Sequence, residues 1–374
     1  MEVFQITKEL IIDAFDGKIT DTQKAMSEFG IQDIGEIVDS LKGDLLHPYL
    51  ERGLMFGHTD ATKIFDAIKK KMSFAVMTGI KPTGQYHIGS LITCNEVLYF
   101  QSLGGKVYFC VADMESYLHS GTSLEEGHNT AIDNVADILA LGLDYKNSYI
   151  YKQSEQKDVL KLAVLFTKNI TYNMIKAIYG EQAFGAYQSA LIQAGDILLP
   201  QLKQYEGPCL TVTPVGLEQA PHARLTRDLA RKQLFREHYG FKMPSFTFHQ
   251  ILGSLDGGDK MSKSAGHSFM LTLSETSKSL KKKIALVFTG GRETKQEQLE
   301  LGRRPDICRV FDLYRFFFMN REDELKKRQK ECKTGKILCS ECKQDLFSRA
   351  CKFIEKHQTK KESKFDLAKQ ILEE

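Results

Sequence analysis

Tryptophan is missing from all 374 residues, which excludes intrinsic indole emission from the folded chain. Cysteine is scarce: eight residues are too few for a disulfide scaffold and suit a reducing compartment. No stretch approaches the roughly 20 consecutive apolar residues that a membrane-spanning helix needs. The start, MEVFQITKEL, has neither the basic flank nor the apolar run of a secretory signal. A cytoplasmic chain with no membrane partner is therefore expected, and neither an internal repeat nor a low-complexity segment is visible. The rest of the composition is that of a folded protein. Of its residues 42% are hydrophobic and 26% charged, with 23 Phe and 14 Tyr. At about 150 residues per domain the length holds two to three units with real cores, so a disordered tail, a fibre and a disulfide miniprotein are ruled out.

Charge looks nearly balanced, at 51 Lys and Arg against 48 Asp and Glu. Divided along the chain it is not: residues 271–374 carry 25 basic against 17 acidic side chains, a balance of +8, and residues 1–270 carry 26 against 31, a balance of −5. A polyanion such as nucleic acid would favour the C-terminal part, although ordinary solvated helices reach the same asymmetry.

Three regions are expected. Residues 1–70 read as an appended segment of short helices and polar turns. Residues 71–273 alternate apolar strand patterns at 74–77, 106–113 and 209–215 with helical patterns at 88–101, 123–139, 157–199 and 221–238. That order predicts an α/β, Rossmann-like parallel sheet with ligands at the carboxyl ends of its strands. Residues 274–374 read as a helical domain packed against this body.

Two segments carry chemistry. In TGIKPTGQYHIGS, residues 78–90, Gly79 and Gly84 allow close backbone approach to a ligand, and His87 stands at the mouth of the next helix, where a phosphate can be held. The segment is neither a dinucleotide fingerprint nor a Walker loop. In LDGGDKMSKS, residues 255–264, a Gly pair precedes Lys260 and Lys263, whose charges could meet developing phosphoryl charge. Alone, His87 could be an ordinary turn histidine and the second segment a solvated lysine loop.

Together, HIGS at 87–90 and KMSKS at 260–264 closely resemble the paired signatures of class I aminoacyl-tRNA synthetases. Within that class the chain is similar to the tryptophanyl-tRNA synthetases of the archaeal and eukaryotic cytoplasmic kind, through LLHPYLERGLMFGH at 45–58, TPVGLEQAPHARLTRDLA at 213–230, TGGRETKQEQLELG at 289–302 and TGKILCSECK at 334–343. The resemblance implies activation of L-tryptophan by ATP with accompanying Mg2+, then transfer to tRNA(Trp), in a homodimer. It assigns His87, Lys260 and Lys263 to catalysis. Lys81, Gln85, His87, Gly89, Ser90, Glu218, Met261 and Lys263 would bind ATP, and Glu115, Asp196 and Gln219 the amino acid. Ser90 departs from the usual His or Asn at the last position of its signature and has less reach.

Asp196, in QAGDILLPQL at 193–202, resembles the carboxylate that bacterial tryptophan enzymes direct at the indole N–H; tyrosine enzymes also place an Asp nearby. The eukaryotic family uses Tyr and Gln at positions that here are Met77 and Cys110, so tyrosine stays open as a substrate. A synthetase-like RNA-binding protein without activity is the non-enzyme alternative. Glu218 and Gln219 could also merely cap a helix, Glu115 could be a loop charge, and Asp196 a capping or solvated residue. Arg303, Arg304 and Asp306 are expected at the tRNA, and residues 50–58 over the ATP side of the site. Cys332, Cys339, Cys342 and Cys351 contain one C-x2-C, but the pair lies in a helical pattern and the family does not depend on a metal there, so no metal is expected.

Overall fold

The computed structural model describes residues 11–15, 18–258 and 269–373. The described residues open with a small antiparallel pair, β1 (Ile12–Asp13) and β2 (Lys18–Ile19), where the sequence pattern suggests only helix. Strands β3 (Gln32–Asp33), β4 (Met55–Thr59), β5 (Ala75–Ile80), β6 (Lys106–Val111), β7 (Ser148–Lys152), β8 (Thr211–Gly216) and β9 (Ser245–His249) form one sheet in the order β3-β4-β9-β8-β5-β6-β7. The five strands from β9 to β7 run parallel, and β4 and β3 close one edge antiparallel. This is the expected Rossmann-like sheet, with its antiparallel edge supplied by the first 70 residues. β5 and β6 are apolar runs because helices cover both faces of a parallel sheet.

One feature of register creates the site. β5 pairs with β6 along its whole length, from Ala75↔Lys106 to Ile80↔Val111. It pairs with β8 only at Ala75↔Thr211 and Val76↔Val212. Beyond those pairs the two strands part. Because the chain winds outward from β5 through β6 to β7 and then returns to β8 and β9, the gap lies at the switch point where open α/β sheets bind ligands.

Helix Ser90–Ser102 follows β5 and buries Leu91, Ile92, Val97 and Phe100 in a core that continues from Ile34 to Leu372. The long helical pattern at 157–199 is in fact three helices, Lys157–Phe166, Tyr172–Tyr179 and Phe184–Leu198. Gly180, with φ of 71°, and the capping Thr171 divide them. The pattern at 221–238 breaks at Lys232, whose φ of −58° and ψ of 134° are extended.

Beyond residue 273 the elements are helical, as expected. The longest, Cys339–Glu362, lies on helix Leu124–Leu141 of the α/β body. Their contact includes buried charge: His357 Nε2 is 2.7 Å from Asp137 Oδ1, and Lys361 Nζ is 2.9 Å from Asp137 Oδ2 and 2.7 Å from Asp133 Oδ1. The aromatic run Phe311–Phe318 is mostly buried between helices, as its apolar character predicts. Among the described residues, no helix is long and apolar enough to cross a membrane.

Candidate active site

A cleft of about 510 Å3 opens where β5 and β8 diverge. Its floor is the carboxyl halves of both strands, from Met77 to Ile80 and from Thr213 to Gly216. Of the side chains expected there, Lys81, Gln85, His87, Ser90, Glu115, Asp196, Glu218 and Gln219 all line it, with Gly89 beside them. They come from the turn after β5, the helices after β6 and β8, and helix Phe184–Leu198. Lys260, Met261 and Lys263 lie outside the described residues.

The segments flanking that undescribed stretch meet the first signature directly. Leu255 N–H donates to Phe269 O at 3.2 Å, Ile88 N–H to Leu271 O at 2.8 Å and Leu273 N–H to Tyr86 O at 2.9 Å. His87 and Thr272 form an antiparallel bridge. The chain thus leaves at Gly258 and returns at Phe269 within one small network around His87.

Local geometry explains two glycines. A Cβ on Gly89 would stand 3.0 Å from His87 Nδ1, so the missing side chain lets the imidazole fold over the start of helix Ser90–Ser102, where Ser90 Oγ lies 3.3 Å from His87 Nε2. A Cβ on Gly216 would fall 2.1 Å from Glu218 Oε2, so that position admits the carboxylate.

At the far end of the cleft Asp196 is buried. It accepts hydrogen bonds from Tyr151 Oη at 2.8 Å and Gln153 Nε2 at 2.5 Å, and the Cys110 thiol adjoins it. It is neither a helix cap nor solvated. Burial pushes its carboxyl up to about 7, although the hydrogen bonds from Tyr151, Gln153 and Cys110 pull the other way. Met77 and Cys110 line the same end. Glu115 is held by Lys81 Nζ at 3.3 Å and by its own N–H on Gln153 Oε1 at 3.0 Å. Gln193 Nε2 donates to Gln219 Oε1 at 3.2 Å.

Several lining groups escaped the sequence reading. His249 ends β9, and its Nδ1 lies 3.2 Å from Oε1 of Glu96, which is fully buried. Burial opposes charge on His249, but Glu96 outweighs it and raises the imidazole; burial raises the Glu96 carboxyl. A lone glutamate inside the apolar run LITCNEVLYF was the available signal. Tyr151 and Gln153, which hydrogen-bond Asp196 but do not themselves line the cleft, belong to β7 and the turn after it, a strand whose SYIYK pattern is only half apolar. Ala14 and Phe15 also line the cleft, with Phe15 stacked on His119 and edge-on to His222. The N-terminal cover therefore comes from these residues, whereas none of residues 50–58 reaches the cleft.

The expected RNA-facing residues lie elsewhere, in the C-terminal region. Arg304 and Asp306 are exposed. Arg303 is buried, with its Nε donating to Gln298 Oε1 at 2.9 Å, so it faces the interior instead of a solvent-borne polyanion.

Residues 69–355 match the model of a family described as tRNA synthetases class I (W and Y). The chain is 33% identical to the tryptophan–tRNA ligase of Archaeoglobus fulgidus over 92% of its length and 95% of that protein's. It is 34% identical to the enzyme of the same name from Aeropyrum pernix, over 95% and 96%. The crystal structure of tryptophanyl-tRNA synthetase from Aeropyrum pernix superimposes with a TM-score of 0.88 at 32% identity, covering 96% of this chain and 99% of that one. With both signatures in its sequence and the first of them set into the cleft of the sheet, the chain belongs to the class I tRNA synthetases of the tryptophan and tyrosine group, among the tryptophan–tRNA ligases.

Proposed function

We propose that this chain activates L-tryptophan with ATP, releasing pyrophosphate, and transfers the aminoacyl group to the terminal ribose of tRNA(Trp). The observation that carries this reading is the convergence of the HIGS turn, Glu218, Gln219, Glu115 and Asp196 on one cleft at the β5/β8 divergence.

Activation requires the amino acid carboxylate to attack the α-phosphorus in line with the departing pyrophosphate, with no covalent enzyme intermediate. Positioning and stabilisation of phosphoryl charge then supply the rate. In this reading ATP lies along the turn 81–90. His87 and Ser90 meet phosphate oxygens at the positive end of helix Ser90–Ser102, and Glu218 accepts from the ribose hydroxyls. Magnesium accompanies the triphosphate as part of the nucleotide substrate. Lys260 and Lys263 neutralise the pyrophosphate as it leaves, with Met261 against the adenine; ten residues join Gly258 to Phe269, and Leu271 and Leu273, just after that return, bond the turn that carries His87.

The amino acid takes the other end. Its ammonium faces Glu115 and Gln219, and its indole N–H is accepted by Asp196, which keeps lone pairs beyond those used by Tyr151 and Gln153. A buried acceptor left unpaired is costly, so analogues without that donor are rejected more strongly than apolar contacts alone allow. The homodimer, the cytoplasmic setting and the contact of Arg304 and Asp306 with tRNA belong to this proposal through the family.

Pyrophosphate exchange into ATP, run with each of the twenty amino acids, is the test. Exchange that depends on tryptophan supports the reading. Exchange that depends on tyrosine replaces the substrate, and no exchange from folded protein overturns the enzyme reading altogether.

A further inference from the structure

The nucleotide end of the cleft holds a buried pair that the activation scheme above does not use. His249 ends β9, with Nδ1 3.2 Å from Glu96 Oε1 and Nε2 facing Thr93 Oγ1 at 3.5 Å. Thr93 and His249 line the cleft, whereas Glu96 lies behind them, fully buried in helix Ser90–Ser102. Such a pair is weak evidence for stability, because apolar residues of similar volume often hold a fold as well or better. Its place in the wall of a ligand cleft gives it another use.

Sheet register places this imidazole beside the sugar. Gly216 of β8 is the register partner of His249, and Glu218 folds its carboxylate back over Gly216, where a Cβ would collide with Oε2. Glu218, assigned above to the ribose hydroxyls, therefore adjoins His249 and acts on it electrostatically. The amino acid end is remote: Asp196 bonds Tyr151 of β7, and β7 and β9 stand at opposite sides of the five parallel strands. Ile251 and Leu252, just after His249 in the chain, and Ile92, beside Thr93, give the cleft an apolar stretch suited to a base.

The pair also decides what His249 offers. With Nδ1 turned to Glu96, the two protons that the pair holds leave hydrogen on Nε2 in either distribution: an imidazolium against a carboxylate, or a neutral ring accepting from a protonated Glu96. Burial works against charge on His249, but Glu96 outweighs it and raises the imidazole; burial raises the Glu96 carboxyl, so the protons are kept. Nε2 is thus a donor, and Thr93 is a distant partner for it. We infer that His249 donates from Nε2 to a ribose hydroxyl of ATP, on the edge of the sugar from which Glu218 accepts, and that Glu96 is a positioning residue holding the ring and its proton. A hydroxyl can give its hydrogen to Glu218 and accept from His249 at once. The inference rests on the function proposed above in that ATP occupies this cleft.

Calorimetric binding of ATP, 2′-deoxy-ATP and 3′-deoxy-ATP to the full chain tests the contact without requiring turnover. Wild type should bind at least one of the deoxy analogues about 10-fold or more weakly than ATP. Combining Glu96→Leu with His249→Phe replaces the pair by apolar side chains, so circular dichroism should still report a folded chain. That double variant should bind ATP about 10-fold more weakly while its affinity for the same analogue changes less than about threefold. Glu96→Leu alone should show the same selectivity at smaller size. His249→Gln, which keeps an N–H where Nε2 stood, should retain the preference for ATP to within about threefold. Equal binding of all three nucleotides by wild type overturns the contact. So does a loss shared equally by ATP and both analogues in the double variant or in Glu96→Leu, the result of a packing role, and so does a His249→Gln chain without the preference. If the nucleotides bind as expected but no amino acid supports exchange, the activity proposed above falls and this contact stands; folded wild type that binds no ATP overturns both.

Discussion

Asp196, proposed above as the acceptor of the indole N–H, is also a buried carboxyl whose ionisation works against the fold. Burial lifts its carboxyl to about 7 from an ordinary value of 3.8. The folded chain therefore binds a proton that the unfolded chain releases between those values. Stability falls as pH rises across that window, by several kcal/mol at most, since each pKa unit is worth about 1.4 kcal/mol. Asp196→Asn removes the titration. It is expected to be more stable than wild type at pH 8, by about 2 kcal/mol or more, and to show little advantage at pH 4, as read from urea unfolding at the two values. The same variant should bind tryptophan about 10- to 100-fold more weakly at pH 8, the worth of a hydrogen bond to a charged acceptor. Wild-type affinity should weaken as pH drops through about 7 and that of the variant should not. With no tryptophan in the chain, indole emission comes from the amino acid alone, and its change on adding protein reports binding. A variant that keeps wild-type affinity and pH dependence removes Asp196 from indole recognition. Gly89 offers a second test at this scale. Gly89→Ala would push a methyl against His87 at about 3 Å; the ring must give way by a few tenths of an ångström, and exchange should slow about tenfold or more while unfolding changes little.

Elements hold these residues in place, and they were unequally legible. The turn 78–90 could be read because its chemistry is local: glycines, a histidine and a helix start occupy adjacent positions. The divergence of β5 from β8 could not, because it depends on where two strands 136 residues apart stop pairing. Tyr151, Gln153 and His249 were missed for the same reason. They sit at the ends of β7 and β9, short strands whose polar residues hide the apolar pattern, and they join the site only through sheet order. β4 was hidden because it pairs antiparallel to β9, nearly 200 residues later. The contact of helix Cys339–Glu362 with helix Leu124–Leu141 is equally remote in sequence. Asp137 is fully buried and faces both His357 and Lys361. Asp137→Ala leaves the buried His357 and the half-buried Lys361 without their shared partner, and is expected to cost about 3 kcal/mol or more in denaturant unfolding. A loss below about 1 kcal/mol would mean that apolar packing alone holds the two helices together.

At the scale of the whole molecule the near-neutral total conceals a division of labour, with −5 over residues 1–270 and +8 over residues 271–374. The two reactions proposed for the chain should sense it differently. Pyrophosphate exchange uses small ligands enclosed in the cleft, where charges meet at short range and salt screens them weakly. Transfer, as proposed, brings a long polyanion to the basic C-terminal region, and each phosphate contact would release counterions, so affinity should fall steeply with ionic strength. Raising salt from about 50 to 200 mM should therefore lift the KM for tRNA by about 10-fold or more, a fall expected for even a few phosphate contacts, and change the exchange rate little. Because Arg304 is exposed and Arg303 is not, Arg304→Gln should flatten that salt dependence. Arg303→Gln should act through the fold, without altering the slope. Equal salt sensitivity of exchange and transfer would separate the basic balance from tRNA binding and leave it an ordinary solvated surface.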